Sequence, residues 1–167
     1  MSIQFLEKSY SWSEMTLWEY LEEGNIPKSW SQFFLDNQDK LYSISENLKH
    51  ERTNRIYPPI NQVFRAFINP QKIKVVILGM DPYHSGTTEF NGSAVGYCFS
   101  VRPGNSINPS LRNIYKELKQ EGYKVKGDGI LYHWAEQGCF LINTALTVEK
   151  GCADYNTEFW YDFTESA

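Results

Sequence analysis

Two short apolar runs constrain the fold of this chain more than any other feature. Residues 73–79 read IKVVILG, and residues 139–143 read CFLIN. A short run of apolar, largely β-branched residues without polar alternation is typical of a strand buried on both faces of a parallel sheet. Helical patterns precede and separate the two runs, so the sequence predicts an α/β fold built around a short parallel sheet.

The helical patterns carry their own start and stop signals. Ser11 and Glu14 form an S-x-x-E capping box ahead of an apolar period that ends at Gly24. Asn108 followed by Pro109 predicts the N-cap and first residue of another helix. Further helices are predicted after Lys28, around Leu41, Ile44 and Leu48, on the face of Ile60, Val63, Phe64 and Phe67 after the Tyr57-Pro58-Pro59 turn, and from Phe159 onward.

Composition places the chain in the globular class. A length of 167 residues suits one domain, and 41% hydrophobic with 16% aromatic residues exclude a disordered or collagen-like chain. No apolar run approaches the roughly 20 residues of a membrane helix, so we expect a soluble, intracellular protein of undetermined compartment. The three cysteines, Cys98, Cys139 and Cys152, lack CxxC or Cys/His spacing and predict neither a disulfide framework nor a metal site.

The charges are unevenly distributed although the net charge is only −4. Residues 49–126 contain twelve basic and five acidic side chains, whereas both flanking segments are acidic. A local basic excess in an acidic protein is compatible with one face that meets phosphates. Solvated helix faces that happen to be basic are an equally good explanation at this point.

Polar side chains follow both predicted strands. The sequence Asp81-Pro82-Tyr83-His84 comes just after the first strand, and Asn143 closes the second. Ligands of α/β folds bind beyond the carboxyl ends of the strands, so these residues are candidates for a site. Each also has a structural explanation, since Asp before Pro is a common turn former, a loop histidine bonds locally, and a strand-end amide satisfies backbone groups.

A series of ordered matches resembles one family, the uracil-DNA glycosylases of the Ung type. The matches run from about residue 26 onward in the family's order and spacing. They comprise Ile26-Pro27-Lys28-Ser29-Trp30, Tyr57-Pro58-Pro59 with Asn61, Val63-Phe64 and Ala66-Phe67, Val75 to Gly79 leading into Asp81-Pro82-Tyr83-His84, Gly96 with Cys98-Phe99-Ser100-Val101, Pro109-Ser110-Leu111 with residues 113–118, Gln137-Gly138, Leu141-Ile142-Asn143-Thr144, and Leu146-Thr147-Val148.

The resemblance implies that the chain flips a uracil nucleotide out of DNA and hydrolyses its N-glycosidic bond, a step of base excision repair. Asp81 is then the catalytic carboxylate near C1′, and the main-chain amides around Met80 and Asp81 face a uracil carbonyl. Phe99 stacks on the flipped base, although core packing is an alternative for it. Asn143 reads the uracil edge, and Tyr83 excludes the methyl group of thymine unless it is only a rim contact.

The same resemblance implies that His84 and Ser110 contact the DNA backbone, with Ser110 at the start of a helix whose N-terminus is positive. The basic middle segment then supplies long-range attraction to DNA. The resemblance implies no cofactor, no metal and no membrane partner, and its substrate is uracil-containing DNA.

Three features depart from the family pattern. Met80 stands where the family has glutamine before Asp-Pro-Tyr, and eleven residues (85–95) separate His84 from Gly96, where the family has a shorter loop. The family's C-terminal portion, with its later strands and its His-Pro-Ser loop, has no counterpart in this sequence. We therefore expect a single domain over residues 1–167, a three-layer sandwich around a short parallel sheet, incomplete at its C-terminus.

Three functions stay open on the sequence. The first is a base-excision enzyme that a protein partner or second chain completes, with weak or no activity expected of the 167-residue chain alone. The second is a non-catalytic DNA-binding or partner-binding module on the same scaffold. The third, an unrelated hydrolase using Asp81 and His84, has no nucleophile in a G-x-S-x-G turn and leaves the downstream matches unexplained. On the family's strand order, we also expect the first strand to present an exposed apolar edge.

Overall fold

The computed structural model describes residues 11–50, 55–85, 92–154 and 156–167. The α-helices in this part of the chain are α1 (Leu17–Glu22), α2 (Ser31–Asp36), α3 (Gln38–Lys49), α4 (Pro109–Gln120), α5 (Tyr132–Glu136) and α6 (Thr157–Thr164). The strands are β1 (Ile56–Tyr57), β2 (Val75–Gly79), β3 (Cys139–Asn143) and β4 (Val148–Glu149), and short 3-10 helices cover Lys28–Trp30, Ile60–Gln62 and Pro70–Lys72.

The two apolar runs form a parallel pair, as the sequence predicts. β2 lies beside β3 in a register that starts with Val75 opposite Cys139 and ends with Gly79 opposite Asn143. A second, antiparallel pair joins β1 to β4. No sequence pattern predicts this pair, because strands of two residues are too short to show a periodic pattern.

The predicted burial of β2 on both sides is wrong. Val75, Val76 and Leu78 are 46%, 57% and 60% exposed, and only Gly79 of this strand is buried. Within the described residues β2 has a neighbouring strand on one edge only, whereas β3 is almost entirely buried. The apolar edge expected for the first strand is therefore present and exposed.

The first helix begins later than its predicted cap. Thr16 is the N-cap of α1, and its side chain and that of Glu19 form a reciprocal capping box. The Ser11–Glu14 pair instead closes a turn, with Glu14 N donating to Ser11 O at 3.0 Å. Both sequences satisfy the same S/T-x-x-E pattern, and Thr16 is the one followed directly by the buried Leu17.

The helix predicted over residues 60–67 is wrong in type although its apolar face is buried as expected. After Ile60–Gln62, Arg65 N donates to Gln62 O and Phe67 N to Phe64 O, so the turns close over three residues rather than four. Gly96 lies so close to the Gln62 carbonyl that a Cβ at position 96 would overlap it. This close packing of another segment against the backbone favours the tighter turns.

An aromatic cluster fills the core and ties the last helix to it. Trp160 and Phe163 of α6 have no exposed surface, and their rings pack against those of Phe64, Phe34 and Phe67. Trp160 Nε1 donates to Thr147 Oγ1 at 2.7 Å, and Thr164 Oγ1 donates to Thr144 O at 2.7 Å, just beyond β3. The predicted helix from Phe159 onward is present, and it holds the segment after β3 in place.

No helix among the described residues combines the length and the apolar character needed to cross a membrane.

Candidate active site

The candidate site lies where β2 and β3 end. Beyond the Gly79–Asn143 pair, the two chains stay in contact, since Thr144 N donates to Gly79 O at 3.0 Å and Ala145 N to Met80 O at 2.9 Å. Thr144 Oγ1 donates to the same Met80 carbonyl at 2.6 Å. The backbone carrying Asp81 is thus fixed to the segment after Asn143, and the two polar residues emerge at one end of the sheet.

Asn143 packs directly over Gly79. A Cβ atom at position 79 would overlap Asn143 Oδ1 and would lie 2.8 Å from Cys98 Cβ. Asn143 is only 8% exposed, and no hydrogen bond of its carboxamide is found within the described part of the chain. An inward amide with its donor and acceptor unused is suited to reading the edge of a ligand, because leaving such groups unpaired costs free energy.

Cys98 is the third member of this contact. Its backbone N donates to Leu141 O of β3 at 3.0 Å, and its thiol donates to Ile77 O of β2 at 3.2 Å. Burial raises the pKa of the Cys98 thiol to about 12, so the sulfur stays protonated and acts as a buried spacer. The segment around Cys98 is therefore attached to both strands at once.

Phe99 follows Cys98 in a strained backbone conformation. Its φ of 62° lies in the left-handed region, which residues other than glycine rarely adopt. Tyr83 Oη donates to the Phe99 carbonyl at 3.0 Å, which links the segment after β2 to this residue. Strained residues of this kind are concentrated at functional sites, and this one carries the aromatic ring predicted to stack on a base.

Tyr83 is half-buried and connects the site to α4. Burial raises its pKa to about 12, and a hydrogen bond from Asn108 opposes that shift. Asn108 occupies the predicted N-cap position of α4, but its side chain does not cap the helix. Ser110 is exposed in the first turn of α4, close in sequence to this contact. The structure thus brings the start of α4 to Tyr83.

A turn over residues 149–154 approaches the same segment from the other side. Asp154 N donates to Asp81 Oδ2 at 2.9 Å, and Gly151 N donates to the carbonyl of His84 at 3.1 Å. His84 Nδ1 is buried, with no hydrogen-bond partner among the described residues. No sequence pattern predicts these contacts, because a backbone N–H donor has no signature in the sequence.

The remaining predicted features are placed less directly. The Met80 side chain is 58% exposed, and the Met80 carbonyl accepts hydrogen bonds from Ala145 N and Thr144 Oγ1. The predicted role of Met80 is that of its main-chain amide, which does not depend on the side chain. Residues 86–91 of the longer loop lie outside the described residues. In the basic middle segment, Arg55 Nε lies 3.7 Å from Glu149 Oε1, and Arg102 Nη2 donates a hydrogen bond to Gln62 Oε1. The basic DNA-facing surface stays a prediction.

Comparison with known proteins finds relatives of the chain in sequence and in fold, although no family model matches it. The uracil-DNA glycosylase of Psychromonas ingrahamii is 44% identical over 150 residues, covering 83% of this chain and 66% of that protein. Uracil-DNA glycosylase 2 of Streptomyces avermitilis is 40% identical over 148 residues, covering 84% and 63%. The crystal structure of mimivirus uracil-DNA glycosylase is 33% identical, with a TM-score of 0.77, and the match covers 83% of this chain and 53% of that one.

The chain is an α/β protein with a small parallel sheet and a cluster of polar residues at the carboxyl ends of its strands. By sequence and by fold it is a homologue of the uracil-DNA glycosylases, so the resemblance seen in the sequence is confirmed. The chain spans a little less than two thirds of the length of these curated relatives, 63% and 66%.

Proposed function

We propose that this chain recognises uracil in DNA and hydrolyses its N-glycosidic bond. The observation that carries the proposal is the pairing of Gly79 with Asn143, which directs Asp81 and the Asn143 carboxamide to one end of the sheet. The homology to uracil-DNA glycosylases supports the same function. We also propose that residues 1–167 form one domain, since the aromatic core joins α2 to α6.

Asp81 is the proposed catalytic residue. Loss of uracil gives the sugar oxocarbenium character, so an ionised carboxylate near C1′ stabilises the transition state and orients the attacking water. Asp81 is half-buried, and its Oδ2 accepts a hydrogen bond from Asp154 N, which leaves Oδ1 as the oxygen for this task. Water balances the reaction: its hydroxyl bonds to C1′, and uracil departs with the bonding electron pair and is then protonated.

Asn143 is the proposed reader of the base. Its carboxamide accepts a hydrogen bond from uracil N3–H and donates to O4, whereas cytosine presents the opposite pattern at both atoms. A mispaired buried amide costs roughly 1–3 kcal/mol, which favours uracil over cytosine. The proposed neighbours are the backbone amides at Met80 and Asp81 on a carbonyl, Phe99 stacked on the ring, and Tyr83 against C5 to exclude thymine.

Contact with the DNA backbone is proposed for His84 and Ser110. Ser110 lies in the first turn of α4, where the free N–H groups of the helix favour a phosphate. Tyr83 directly precedes His84, and while burial raises the pKa of Tyr83, Asn108, just before α4, lowers it, so both segments border the same part of the molecule. The basic residues of the middle segment supply the sequence-independent attraction.

The test is a single-turnover assay on a single-stranded oligonucleotide with one uracil, with the chain in excess and abasic sites detected by alkaline cleavage. Wild-type chain is expected to form product at the uracil and none with a thymine oligonucleotide. Asp81→Asn is expected to reduce the rate by about 100-fold or more while DNA binding is kept. Asp162→Asn, an exposed aspartate on α6, is the matched control and is expected to keep the wild-type rate.

Two results would overturn the proposal. One is DNA binding by the wild-type chain without any abasic product, which is what a non-catalytic module would show. The other is a product whose rate is the same in Asp81→Asn as in the wild type. The sequence predicts weak or no activity for this chain alone. The proposal is that turnover is slow but present, and enzyme excess makes slow turnover measurable.

The exposed edge of β2 is the proposed place for completion of the sheet. Val76 and Leu78 are 57% and 60% exposed, and among the described residues β2 has a neighbouring strand on one side only, so its other edge can accept another strand. The match covers 63% and 66% of the two bacterial relatives, so these proteins contain additional residues that can supply such a strand. We propose that a further polypeptide segment of this kind covers β2 and raises the activity of the chain.

A further inference from the structure

The turn over residues 149–154, here called the 149–154 turn, is attached to the segment after β2 at two points. Asp154 N donates to Asp81 Oδ2 at 2.9 Å, and Gly151 N donates to His84 O at 3.1 Å. Both donors are backbone N–H groups, more than sixty residues away in sequence from their acceptors. The contact therefore depends on the shape of the turn rather than on a particular side chain.

Asp154 adopts a backbone conformation that serves this contact. Its φ is 62°, in the left-handed region, and its own side chain is exposed. Aspartate tolerates this region better than most residues but gains no stability from it. The Asp154 carbonyl accepts from Thr157 N at 3.3 Å, so the strained residue is held by the start of α6. A strained residue whose N–H is directed at a proposed catalytic carboxylate points to a functional reason for the strain.

In this contact the backbone N–H of Asp154 donates to the carboxylate of Asp81. A backbone N–H bonded to an ionised carboxylate forms a charge-assisted hydrogen bond, which is stronger and shorter than a neutral one. The bond engages Oδ2, and no hydrogen bond to Oδ1 is found among the described residues. One oxygen of Asp81 is thus held by the protein and the other is left for the reaction.

We propose that Asp154 is a positioning residue for the proposed glycosylase reaction: its backbone N–H orients the Asp81 carboxylate toward C1′. The Asp154 carboxylate takes no part, so the role belongs to the N–H and to the left-handed conformation. The proposal rests on the proposed function, because it assigns a task only if Asp81 acts on the sugar.

The test separates the N–H from the side chain. Replacing the 153–154 amide by an ester, with the α-hydroxy analogue of aspartate, removes only the N–H. The ester is expected to lower kcat by about 10- to 100-fold while KM for uracil-containing DNA changes little.

An ester at residue 152 is the matched control. Cys152 N donates to Glu149 O at 3.0 Å, so this ester removes a hydrogen bond of the same turn without touching Asp81 or His84. It is expected to leave kcat within about twofold of the wild type. If the two esters lower kcat equally, the turn has a structural role only, and the positioning proposal is wrong. Equal kcat values for the residue 154 ester and the wild type would also show that the positioning proposal is wrong.

A second measurement does not depend on turnover. The ¹H–¹⁵N resonance of the residue 154 amide is compared between the wild type and Asp81→Ala, which removes the acceptor. An upfield shift and faster hydrogen exchange at this amide are expected, and no change would overturn the positioning role whatever the assay gives. Absence of product from the wild-type chain overturns the proposed function itself, whereas product with an unaffected residue 154 ester overturns only the role of Asp154.

Discussion

Gly79 and Asn143 lie directly opposite each other in the parallel sheet, and the Asn143 carboxamide fills the space that a side chain at position 79 would need. Gly79 is therefore required by a close approach and not by a positive φ. The last residue of β2 contributes to the site by having no side chain, because this lets the amide of the neighbouring strand lie over it.

Gly79→Ala is expected to displace Asn143. The added Cβ meets Asn143 Oδ1 and Cys98 Cβ, and overpacking of this kind costs roughly 1–3 kcal/mol. We expect uracil excision to fall by about tenfold or more, measured as single-turnover rate. Val76→Ala, an exposed position on the same strand, is the control and is expected to keep the rate. Retention of full activity by Gly79→Ala would show that the position of Asn143 is not critical.

The two main strands are predictable because each is a short apolar run without polar alternation, and β2 is also rich in β-branched residues. The predicted run 139–143 coincides with β3, and β2 lies within the predicted run 73–79. The burial of β2 was not predictable from the same run, since it depends on which segments lie alongside. The turns over residues 60–67 close over three residues, which the spacing of the apolar residues does not distinguish from an α-helix.

The site was predictable only where it uses side chains at strand ends. Asp81 and Asn143 were candidates because the carboxyl ends of parallel strands meet, and the structure brings these ends together. Asn108 is predicted as an N-cap, but its side chain makes no capping hydrogen bond in the structure. The hydrogen bond from Asp154 N to Asp81 has no side-chain signature at all.

Tyr83 is expected to make the stability of the fold depend on pH in the alkaline range. Burial raises its pKa to about 12, above the value of about 10 for a free tyrosine. The folded chain thus keeps a proton that the unfolded chain loses. The contribution of Tyr83 to the free energy of unfolding is complete below about pH 10 and declines as the pH rises toward 12.

Tyr83→Phe removes this part of the pH dependence. Denaturant unfolding at pH 8, 10 and 11.5 is expected to show the free energy of unfolding falling less steeply in Tyr83→Phe than in the wild type. Cys98, whose pKa burial also raises to about 12, contributes a decline in both proteins and cancels in the comparison. At pH 8 the variant is expected to lose about 0.5–1.5 kcal/mol with the hydrogen bond to Phe99 O. Parallel curves for the two proteins would contradict the buried state of Tyr83.

The edge of β2 is expected to drive self-association of the chain. The double variant Val76→Lys/Leu78→Lys places charges on this edge, which disfavours pairing with another strand. We expect less concentration-dependent light scattering and a change in the free energy of unfolding within about 0.5 kcal/mol, because both side chains are exposed. Leu35→Lys, at a residue 58% exposed on α2, is the control. An equal effect of Leu35→Lys would assign association to general surface hydrophobicity.

The most direct test of the account is a ¹H–¹⁵N NMR titration of the chain with free uracil, the proposed product. We predict that the Asn143 side-chain NH₂ and the backbone amides of Met80 and Asp81 shift together and saturate. Thymine at the same concentration is expected to leave them unchanged, because Tyr83 excludes its methyl group. Saturable shifts confined to other parts of the molecule, or equal shifts with thymine, would contradict a shared uracil site at the ends of β2 and β3.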